Sequence, residues 1–598
     1  MFFKILNILF LFFTLSISTD NSYIGRTIIG NRSYIPANWY KLERINSNDK
    51  MNFIIALKQH NIDYIEDILI NISNPKNPQY GEYKTRNEIL DIIVPDIKYS
   101  ESILDWIHTN NNNFDCINGF DYIKCNSNVK NVEKLFLTNI YSFYNNYTNK
   151  IINIASSYSV PSYLNNYIHF ILGLADIPFY NNVTILKNNT YDNDAYISAY
   201  GLHKMYNMTW NNKTLSNSSQ AVAEFQNDQC INLQDLQYFE KVNSLSNSTL
   251  LKKNIIGTCD LNTSNPDVEA SLDLQFQIAM NPSVNQMYVS VEEWQYDFAI
   301  TLFNLKNPPL VNSISWGWAE SQQCDESVFP ECYINVIPEI YSKRVNIEFM
   351  KLSLRGVTLI SSSGDAGAPS RINEYCSDNN TSPLNPIFPT SSPWVTSVGG
   401  NIVTKPIVLP PSNTFPDICK NYSCIIGGTE ENCNFDRCQW TSGGGFSNFF
   451  NRPWWQVDAI DNYLNSSKNL PPQKFFNRFG RAYPDVSLVA HNYLVEVAGY
   501  IQIVDGTSAS APTFSGMISR INNLRIQNKK PSFGALNPLL YQMASECPLC
   551  FKDITVGSNN STEADNCTYG YSASKGYDPV YGLGTPNYGN IENYILKL

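Results

Sequence analysis

The chain has 598 residues, with 53 acidic and 42 basic side chains and a formal net charge of −11. Two or more folded units are expected, because single cores rarely grow beyond ~300 residues. The acidic balance argues against a nucleic-acid partner, since phosphate binding needs clustered lysine and arginine.

The first residues have the pattern of a secretory signal. Lys4 precedes an apolar run over residues 5–17, and small residues stand at its exit. We expect a signal peptide at 1–18 and a mature protein that is soluble in a lumen or outside the cell. No later stretch reaches the ~20 uninterrupted apolar residues of a spanning helix, so no membrane partner is expected.

The cysteines and sequons are typical of a protein that passes through the oxidising secretory route. The 14 cysteines are scattered and lack C-x-x-C units backed by histidines, which favours disulfides over structural zinc. Cys116 and Cys125 flank a predicted hairpin turn at Asn118-Gly119 and are the best local couple, while the other pairings stay open. Cys547 and Cys550 form a C-x-x-C unit without a thioredoxin-like pattern around it. Recurrent Asn-x-Ser/Thr sequons predict a glycosylated surface.

Up to about residue 180 the pattern predicts a small α+β unit of split βαβ type. It comprises a strand, a helix, the hairpin and a second helix, at 52–57, 62–72, 116–125 and 130–137. A polar, sequon-rich stretch at 180–196 follows and is interpreted as a cleavable linker. The first unit therefore spans 19–190 and the second spans 191–598.

In the second unit, apolar strand-like runs alternate with helical patterns. The strands are predicted at 287–291, 310–315, 357–361 and 395–399, and two of the helices at 345–355 and 512–527. Such alternation predicts an α/β fold, an open and largely parallel sheet with helices on both faces and sites at the carboxyl ends of strands. The region 406–440, with four cysteines, is interpreted as an irregular insertion.

Ser508 is a candidate nucleophile. It stands in Gly506-Thr-Ser-Ala-Ser510, between a strand-like run and a helical pattern, where free N–H groups of the new helix favour negative charge. Only His203 and His491 follow the linker, and neither lies in a recognisable motif, so each is interpreted as a surface or packing residue. Glycine is absent at position 510, which argues against an esterase elbow.

Carboxylates offer another base. Asn265 and Pro266 are a cap residue and a first-turn proline, and the helix they predict places Glu269 and Asp273 on one face. Taken alone, such a pair more often marks an acidic exposed face. Asp365 follows the strand at 357–361, at the carboxyl end where sites of parallel sheets lie.

Five motifs, in this order, resemble those of the sedolisin family of acid serine-carboxyl peptidases. They are Glu269-Ala-Ser-Leu-Asp273, Ser363-Gly-Asp-Ala-Gly367, Ser442-Gly-Gly-Gly-Phe-Ser447, Arg481-Ala-Tyr-Pro-Asp485 and Gly506-Thr-Ser-Ala-Ser510. Asn77-Pro-Gln-Tyr-Gly81 resembles a propeptide motif of the family, and Gly584-Thr-Pro-Asn587 extends the resemblance towards the C-terminus. It thus covers nearly the whole precursor.

The resemblance implies a secreted or lysosomal zymogen with a subtilisin-like catalytic domain. Ser508 would be the nucleophile, Glu269 the general base and later acid, Asp273 the group that orients Glu269, and Asp365 a protonated oxyanion donor. The first unit would be the inhibitory propeptide, removed by self-cleavage in acid. The implied reaction releases tripeptides from free amino termini of peptides or unfolded proteins. An acid endopeptidase and a catalytically idle peptide-binding glycoprotein are the alternatives.

The resemblance also implies a calcium site near the C-terminus. Its ligands would come from Asp553, Ile554, Ser574, Gly576 and Asp578, as two carboxylates and backbone carbonyls. Ser574 stands where the family has glycine, and Asp505 stands where it usually has serine before Gly-Thr-Ser. Asp505 therefore adds an acid close to the candidate nucleophile.

Overall fold

The computed structural model describes residues 25–31, 35, 38–110, 113–146, 149–175, 195–210, 217–225, 230–246, 252–323, 338–377, 383–409, 411 and 415–598. The expected signal peptide and the boundary at 190, with most of the expected linker, lie outside these ranges. Within them, no helix combines the length and the apolar character needed to span a bilayer.

The first unit is an α+β fold, as predicted. Its elements are β1 (Arg26–Asn31), β2 (Trp39–Arg44), β3 (Lys50–Leu57), α1 (Ile62–Ser73), α2 (Arg86–Ile93), α3 (Lys98–Asn110), β4 (Asp115–Asn118), β5 (Tyr122–Asn128), α4 (Val129–Phe136), β6 (Ile140–Asn145), β7 (Ile151–Ala155), β8 (Ser157–Pro161) and β9 (Ile168–Leu172). The sheet β4-β5-β3-β9 is antiparallel. The predicted Cys116–Cys125 disulfide joins β4 to β5.

The second unit contains the remaining elements. They are β10 (Ala195–Tyr196), α5 (Ala199–Met205), β11 (Ser219–Phe225), α6 (Leu233–Val242), β12 (Ile255–Ile256), α7 (Val268–Met280), β13 (Asn285–Val291), α8 (Gln295–Asn304), β14 (Val311–Ile314), β15 (Trp318–Ala319), α9 (Pro338–Leu354), β16 (Thr358–Ser362), β17 (Ile387–Phe388), β18 (Thr396–Val403), β19 (Ile407–Leu409), β20 (Ser423–Gly427), β21 (Glu430–Glu431), α10 (Phe435–Cys438), β22 (Gly445–Asn451), α11 (Val457–Ser466), β23 (Gly480–Tyr483), β24 (Val486–Val489), β25 (Tyr493–Val497), β26 (Tyr500–Val504), α12 (Thr507–Gln527), α13 (Asn537–Glu546), β27 (Phe551–Lys552), β28 (Thr585–Pro586) and α14 (Tyr588–Lys597).

A parallel sheet in the order β12-β13-β11-β14-β16-β18-β24 forms the centre of this unit, with β21 antiparallel to the end of β18. Its inner strands β14 and β16 are buried along their whole length, as expected of a parallel sheet covered on both faces. Leu272 of α7 and Phe514 of α12 belong to the core on one face. Phe298 of α8 and Phe349 of α9 belong to the core on the other, which continues into the first unit. The predicted α/β class with helices on both faces is confirmed.

The strand-like run before Ser508 is confirmed as β26, which pairs antiparallel with β25. Two local predictions are wrong. The last long helix begins at Thr507 rather than 512, so Ser508 lies in its first turn and Pro512 lies inside it. The region 406–440 is not irregular: it forms β19, β20, β21 and α10, with disulfides at 419–424 and 433–438.

The two units meet over α8 and α9. A charge cluster, made of Asp121 from the first unit and Arg344, Glu348 and Lys351 from α9, is almost fully buried between them. Lys351 donates to Asp121 Oδ2 at 2.6 Å and also to Glu348, while Arg344 Nε donates to Glu348 at 2.9 Å. Farther along the interface, Tyr83 donates to the carbonyl of Ser532 at 2.7 Å. Two anions and two cations thus balance inside the interface.

Candidate active site

The close packing of α7 against α12 brings Glu269 to Ser508. Gly516 of α12 permits this approach, because a Cβ there would lie 2.5 Å from the carbonyl oxygen of Gln277 on α7. Gln277 also donates to Ser515 Oγ at 2.6 Å. Ser508 thereby lies beside the Glu269 carboxyl, where its hydroxyl lowers the pKa of that carboxyl.

The start of α7 fixes the carboxylate pair. Asp267, rather than the predicted Asn265, caps the helix by accepting from the Ala270 N–H at 2.9 Å. Glu269 and Asp273 lie one turn apart on the same face, as predicted, but both are buried, so an exposed acidic face is ruled out. Ser315 donates to Asp273 Oδ1 at 2.7 Å.

Burial and a neighbouring carboxylate raise the proton affinity of both groups, Asp273 acting on Glu269 and Asp267 acting on Asp273. Burial raises the pKa of Glu269 well above its ordinary value, the charge of Asp273 raises it further, and the Ser508 hydroxyl opposes both effects. Burial likewise raises the pKa of Asp273, against the hydrogen bond from Ser315. Neighbouring carboxylates in a dry site do not both ionise readily, so the pair titrates as one unit and retains one proton in acid.

Asp365 follows β16 and is anchored to the start of α12. Its Oδ1 accepts from the Thr507 N–H at 2.7 Å and from the Thr507 hydroxyl at 2.8 Å. Gly506 fits beside it because its φ is +125° and a Cβ would lie 3.1 Å from Asp365 Oδ2. Burial raises the pKa of Asp365, the charge of Arg371 lowers it, and burial prevails. Asp365 thus holds its proton to a higher pH than an ordinary aspartate.

Asp505 points away from the cleft and is buried in a polar contact set. Its carboxylate accepts from Trp440 Nε1 at 2.9 Å and from the Asn492 N–H at 2.7 Å, and it is paired with His491 Nδ1. His491 is therefore a buried hydrogen-bond partner of Asp505 behind the nucleophile turn rather than a surface residue. His203 packs, as predicted: burial lowers its pKa to about 4, and its Nε2 lies 3.1 Å from the carbonyl of Ala279.

A cleft opens beside Ser508 and Asp365. Its other lining residues include Trp318, Gln322 and Ile387, and one basic residue, Arg371. Reasoning from the sequence missed Arg371 because no motif contains it. The departure of Asp505 from the family pattern was the only signal in the sequence for the His491 pair.

The five residues of the expected calcium site lie together near the C-terminus. Gly576 N–H donates to Asp553 Oδ2, and Ser574 N–H donates to Asp578 Oδ2, both at 2.8 Å. Asp578 is buried, and the charge of Asp553 acts on it. The hydroxyl oxygen of Ser574 is buried with no hydrogen-bond partner among the described residues, and no described ion pair reaches either aspartate. Two converging carboxylates and an orphaned oxygen fit a hard cation.

A subtilisin-like α/β sheet, with a serine at a helix start facing a buried carboxyl pair, defines a serine-carboxyl peptidase. A sequence model of the "Pro-kumamolisin, activation domain" matches residues 37–177. Physarolisin from Physarum polycephalum is 35% identical over 94% of this chain and 97% of its own length. The chain belongs to the sedolisin family, and its activation domain makes it a zymogen that its own first unit inhibits.

Further relatives agree with this assignment. Tripeptidyl-peptidase 1 from Dictyostelium discoideum is 31% identical over 92% of this chain and 89% of its own length. The human protein of that name is 29% identical over 95% of both chains. A solved Pseudomonas sedolisin, a serine-carboxyl proteinase complexed with pseudo-iodotyrostatin, shares the fold with a TM-score of 0.50 at 21% identity, over 68% of this chain and 99% of its own.

Proposed function

We propose that the chain is an acid-activated tripeptidyl-peptidase with Ser508 as its nucleophile. The observation that carries the proposal is the position of Ser508 in the first turn of α12, beside the buried Glu269 carboxyl, whose pKa the Ser508 hydroxyl lowers. A carboxylate is a suitable base in mildly acidic medium, where an imidazole would be largely protonated. The two histidines after the linker are engaged elsewhere, which leaves this role to Glu269.

The mechanism begins with the carboxyl pair in its singly ionised form. Glu269 takes the hydroxyl proton of Ser508 while Oγ attacks the scissile carbonyl carbon. Asp365 donates the proton on Oδ2 as a hydrogen bond to the developing oxyanion, because its Oδ1 already accepts from Thr507. Glu269 then gives the proton to the leaving amine, and an acyl-enzyme forms.

Water hydrolyses the acyl-enzyme in the second half of the reaction. Glu269 takes a proton from the water as it attacks the ester and returns that proton to Ser508 Oγ when the peptide acid leaves. Asp273 shares the remaining proton of the pair and holds the Glu269 carboxyl in place, while Ser315 holds Asp273. Activity therefore requires both a singly ionised pair and a protonated Asp365.

Release of tripeptides from free amino termini of unfolded chains is the specificity we propose. It is supported by the relatives named tripeptidyl-peptidase 1. An acid endopeptidase is the second candidate, because the 35% identical relative, physarolisin, is not named for that specificity. Mass spectrometry separates the two after acid treatment and incubation with one long peptide in free-amino and acetylated forms. Successive tripeptides from the free form alone support the exopeptidase, and internal cuts in both forms support the endopeptidase.

Ser508→Ala tests the nucleophile, with Ser510→Ala as its matched control. The Ser510 hydroxyl donates to the carbonyl of Thr507 within the helix, so it has no role in the mechanism above. We expect loss of peptide turnover and of self-processing in the first variant only. Turnover that persists in Ser508→Ala would show an external protease acting on an idle peptide-binding glycoprotein.

We further propose how the precursor is made and matured. Residues 1–18 act as a signal peptide, 19–190 as the propeptide, and 191–598 as the catalytic domain, with self-cleavage in the linker at 180–196. The mature, glycosylated enzyme works in a lysosomal or extracellular acidic medium. The activation-domain match over 37–177 supports this division. Amino-terminal sequencing of the acid-matured protein tests it: a new terminus outside 180–196 would move the boundary.

We also propose that the centre near the C-terminus binds calcium. Asp553 and Asp578 would supply carboxylate oxygens, and Ile554, Ser574 and Gly576 backbone carbonyls. The bound cation would neutralise the two carboxylates and tie their loops together. Calorimetric titration of the chelator-treated precursor with calcium tests the site. We expect binding in the wild type and in Asp565→Asn, an exposed loop control, and none in Asp578→Ala; equal binding in all three would refute the site.

A further inference from the structure

Arg371 places a positive charge beside the acid that the mechanism needs protonated. Its Nη2 lies 4.0 Å from Asp365 Oδ2, the oxygen that Thr507 leaves free. A cation this close favours the ionised form of a carboxyl group and so opposes the proton that an oxyanion donor requires. The cleft thus contains a residue whose charge, taken alone, works against catalysis.

Glu563 compensates that charge. Arg371 Nε donates to Glu563 Oε2 at 2.6 Å and Nη2 donates to Oε1 at 2.7 Å, which makes a bidentate ion pair on one side of the guanidinium. Both side chains are mostly shielded from solvent, so the pairing is weakly screened. Arg371 lies much closer to Glu563, at 2.6 Å, than to Asp365, at 4.0 Å.

The loop that carries Glu563 is held against the segment that carries Arg371. The Cys376–Cys567 disulfide joins the two segments, and the Thr562 hydroxyl donates to the carbonyl of Glu374 at 2.5 Å. Glu563 lies between these two ties on its own loop. The Arg371–Glu563 ion pair is thus held by the fold and does not depend on a flexible surface contact.

We propose that Glu563 is a positioning residue of the oxyanion site, which neutralises and restrains Arg371 so that Asp365 keeps its proton. The inference rests on the proposed function, because it needs Asp365 as the oxyanion donor. Glu563 touches neither substrate nor the reacting atoms: it acts by binding Arg371, and its own negative charge also raises the pKa of Asp365.

The other ionisable groups around Asp365 fit this assignment. Glu269 faces it from α7, with Asp273 behind, and the charges of Asp365 and Glu269 both act on Arg371. The start of α12 adds only the Thr507 N–H and hydroxyl. An uncompensated Arg371 would therefore promote ionisation of Asp365 and Glu269 alike, and the whole pH profile would move in one direction.

The test is the pH profile of kcat/KM for acid-matured enzyme on one peptide. Glu563→Gln leaves Arg371 charged, so we expect the alkaline midpoint to move about one pH unit towards acid. Arg371→Gln leaves the Glu563 carboxylate, so we expect a shift towards neutral pH. The double variant should return close to the wild type. Glu430→Gln, which removes a carboxylate paired with Lys552 elsewhere, is the control and should not shift the profile.

Opposite shifts in the two single variants would establish the role, since a merely structural pair would lower thermal stability without moving the profile. If both single variants shift the alkaline midpoint in the same direction, or if neither shifts it, the inference is overturned. The proposed function then stays intact as long as the wild-type enzyme is active. An inactive wild type would instead overturn the proposed function. If Glu563→Gln does not fold, the sign of the Arg371→Gln shift decides, because only the proposal requires it to be towards neutral pH.

Discussion

We expect Asp121→Asn to make the precursor activate at a less acidic pH. Asp121 is the only anion that the first unit contributes to the charge cluster, which holds Arg344, Glu348 and Lys351 on the other side. The substitution changes the formal charge of the buried cluster from zero to +1. It therefore weakens the attachment of the propeptide without altering any residue of the cleft.

The magnitude follows from the distances. With an effective dielectric constant of ~20, an ion pair at 2.6 Å is worth about 6 kcal/mol before desolvation is subtracted. Removing one partner of a buried pair typically costs about 3–5 kcal/mol, because the other charge stays buried and uncompensated. That cost corresponds to a loss of about 10²- to 4 × 10³-fold in propeptide affinity.

The pKa of Asp121 determines how its contribution to the stability of the interface changes with pH. Burial raises this pKa, but the charges of Lys351 and Arg344 together lower it below its usual value. The carboxylate therefore stabilises the interface above the ordinary aspartate pKa of about 3.9, and this contribution is lost only as the pH falls through the lowered value. The neutral amide of the Asp121→Asn variant lacks the contribution at every pH.

The assay incubates full-length precursor over a pH series and follows the processed band and peptide turnover. Asp115→Asn, an exposed residue on β4, is the matched control. We expect Asp121→Asn to be processed at a higher pH than the wild type and the control. If the folded variant is processed at the same pH as the wild type, the reasoning that this charge cluster holds the propeptide in place is refuted.

Three other substitutions test the nucleophile turn and its support. Gly506→Ala should abolish turnover and lower stability by about 1–3 kcal/mol in thermal unfolding, because φ is +125° and the new methyl meets Asp365; wild-type activity would contradict this. Asp505→Ser, which installs the residue usual in the family, should destabilise the protein by about 3 kcal/mol, since His491 loses its buried partner, and equal melting curves would contradict that pairing. Gly516→Leu should force α7 and α12 apart and reduce kcat. Circular dichroism checks that the variant is folded before kcat is compared with the wild type, and an unchanged kcat would show that the close approach of the helices is dispensable.

Local sequence patterns predicted the features that lie within one helix or one hairpin. Glu269 and Asp273 share a face because helical residues four apart always do. Cys116 and Cys125 pair because a hairpin sets them opposite each other. The start of α12 was predicted late because proline favours first turns, whereas packing against α7 carries the helix back to Thr507.

Contacts between distant segments could not be predicted in this way. Arg371 and Glu563 are 192 residues apart, and no pattern in either segment marks the other. Asp505 departs from the family pattern in the sequence, but its contact with His491 depends on how the β25–β26 hairpin folds back. Such pairs arise from tertiary structure, so their electrostatic effects are visible only in the folded chain.

The Cys376–Cys567 tie has a consequence for a peptidase that shares its medium with other peptidases. The loop closed by this bond spans 191 residues and contains the whole of α12, with Ser508. A single nick between the two cysteines therefore cannot separate the chain into two free fragments. We expect such a nicked enzyme to migrate as one species without reductant and as two with it, and to keep its activity until the disulfide is reduced.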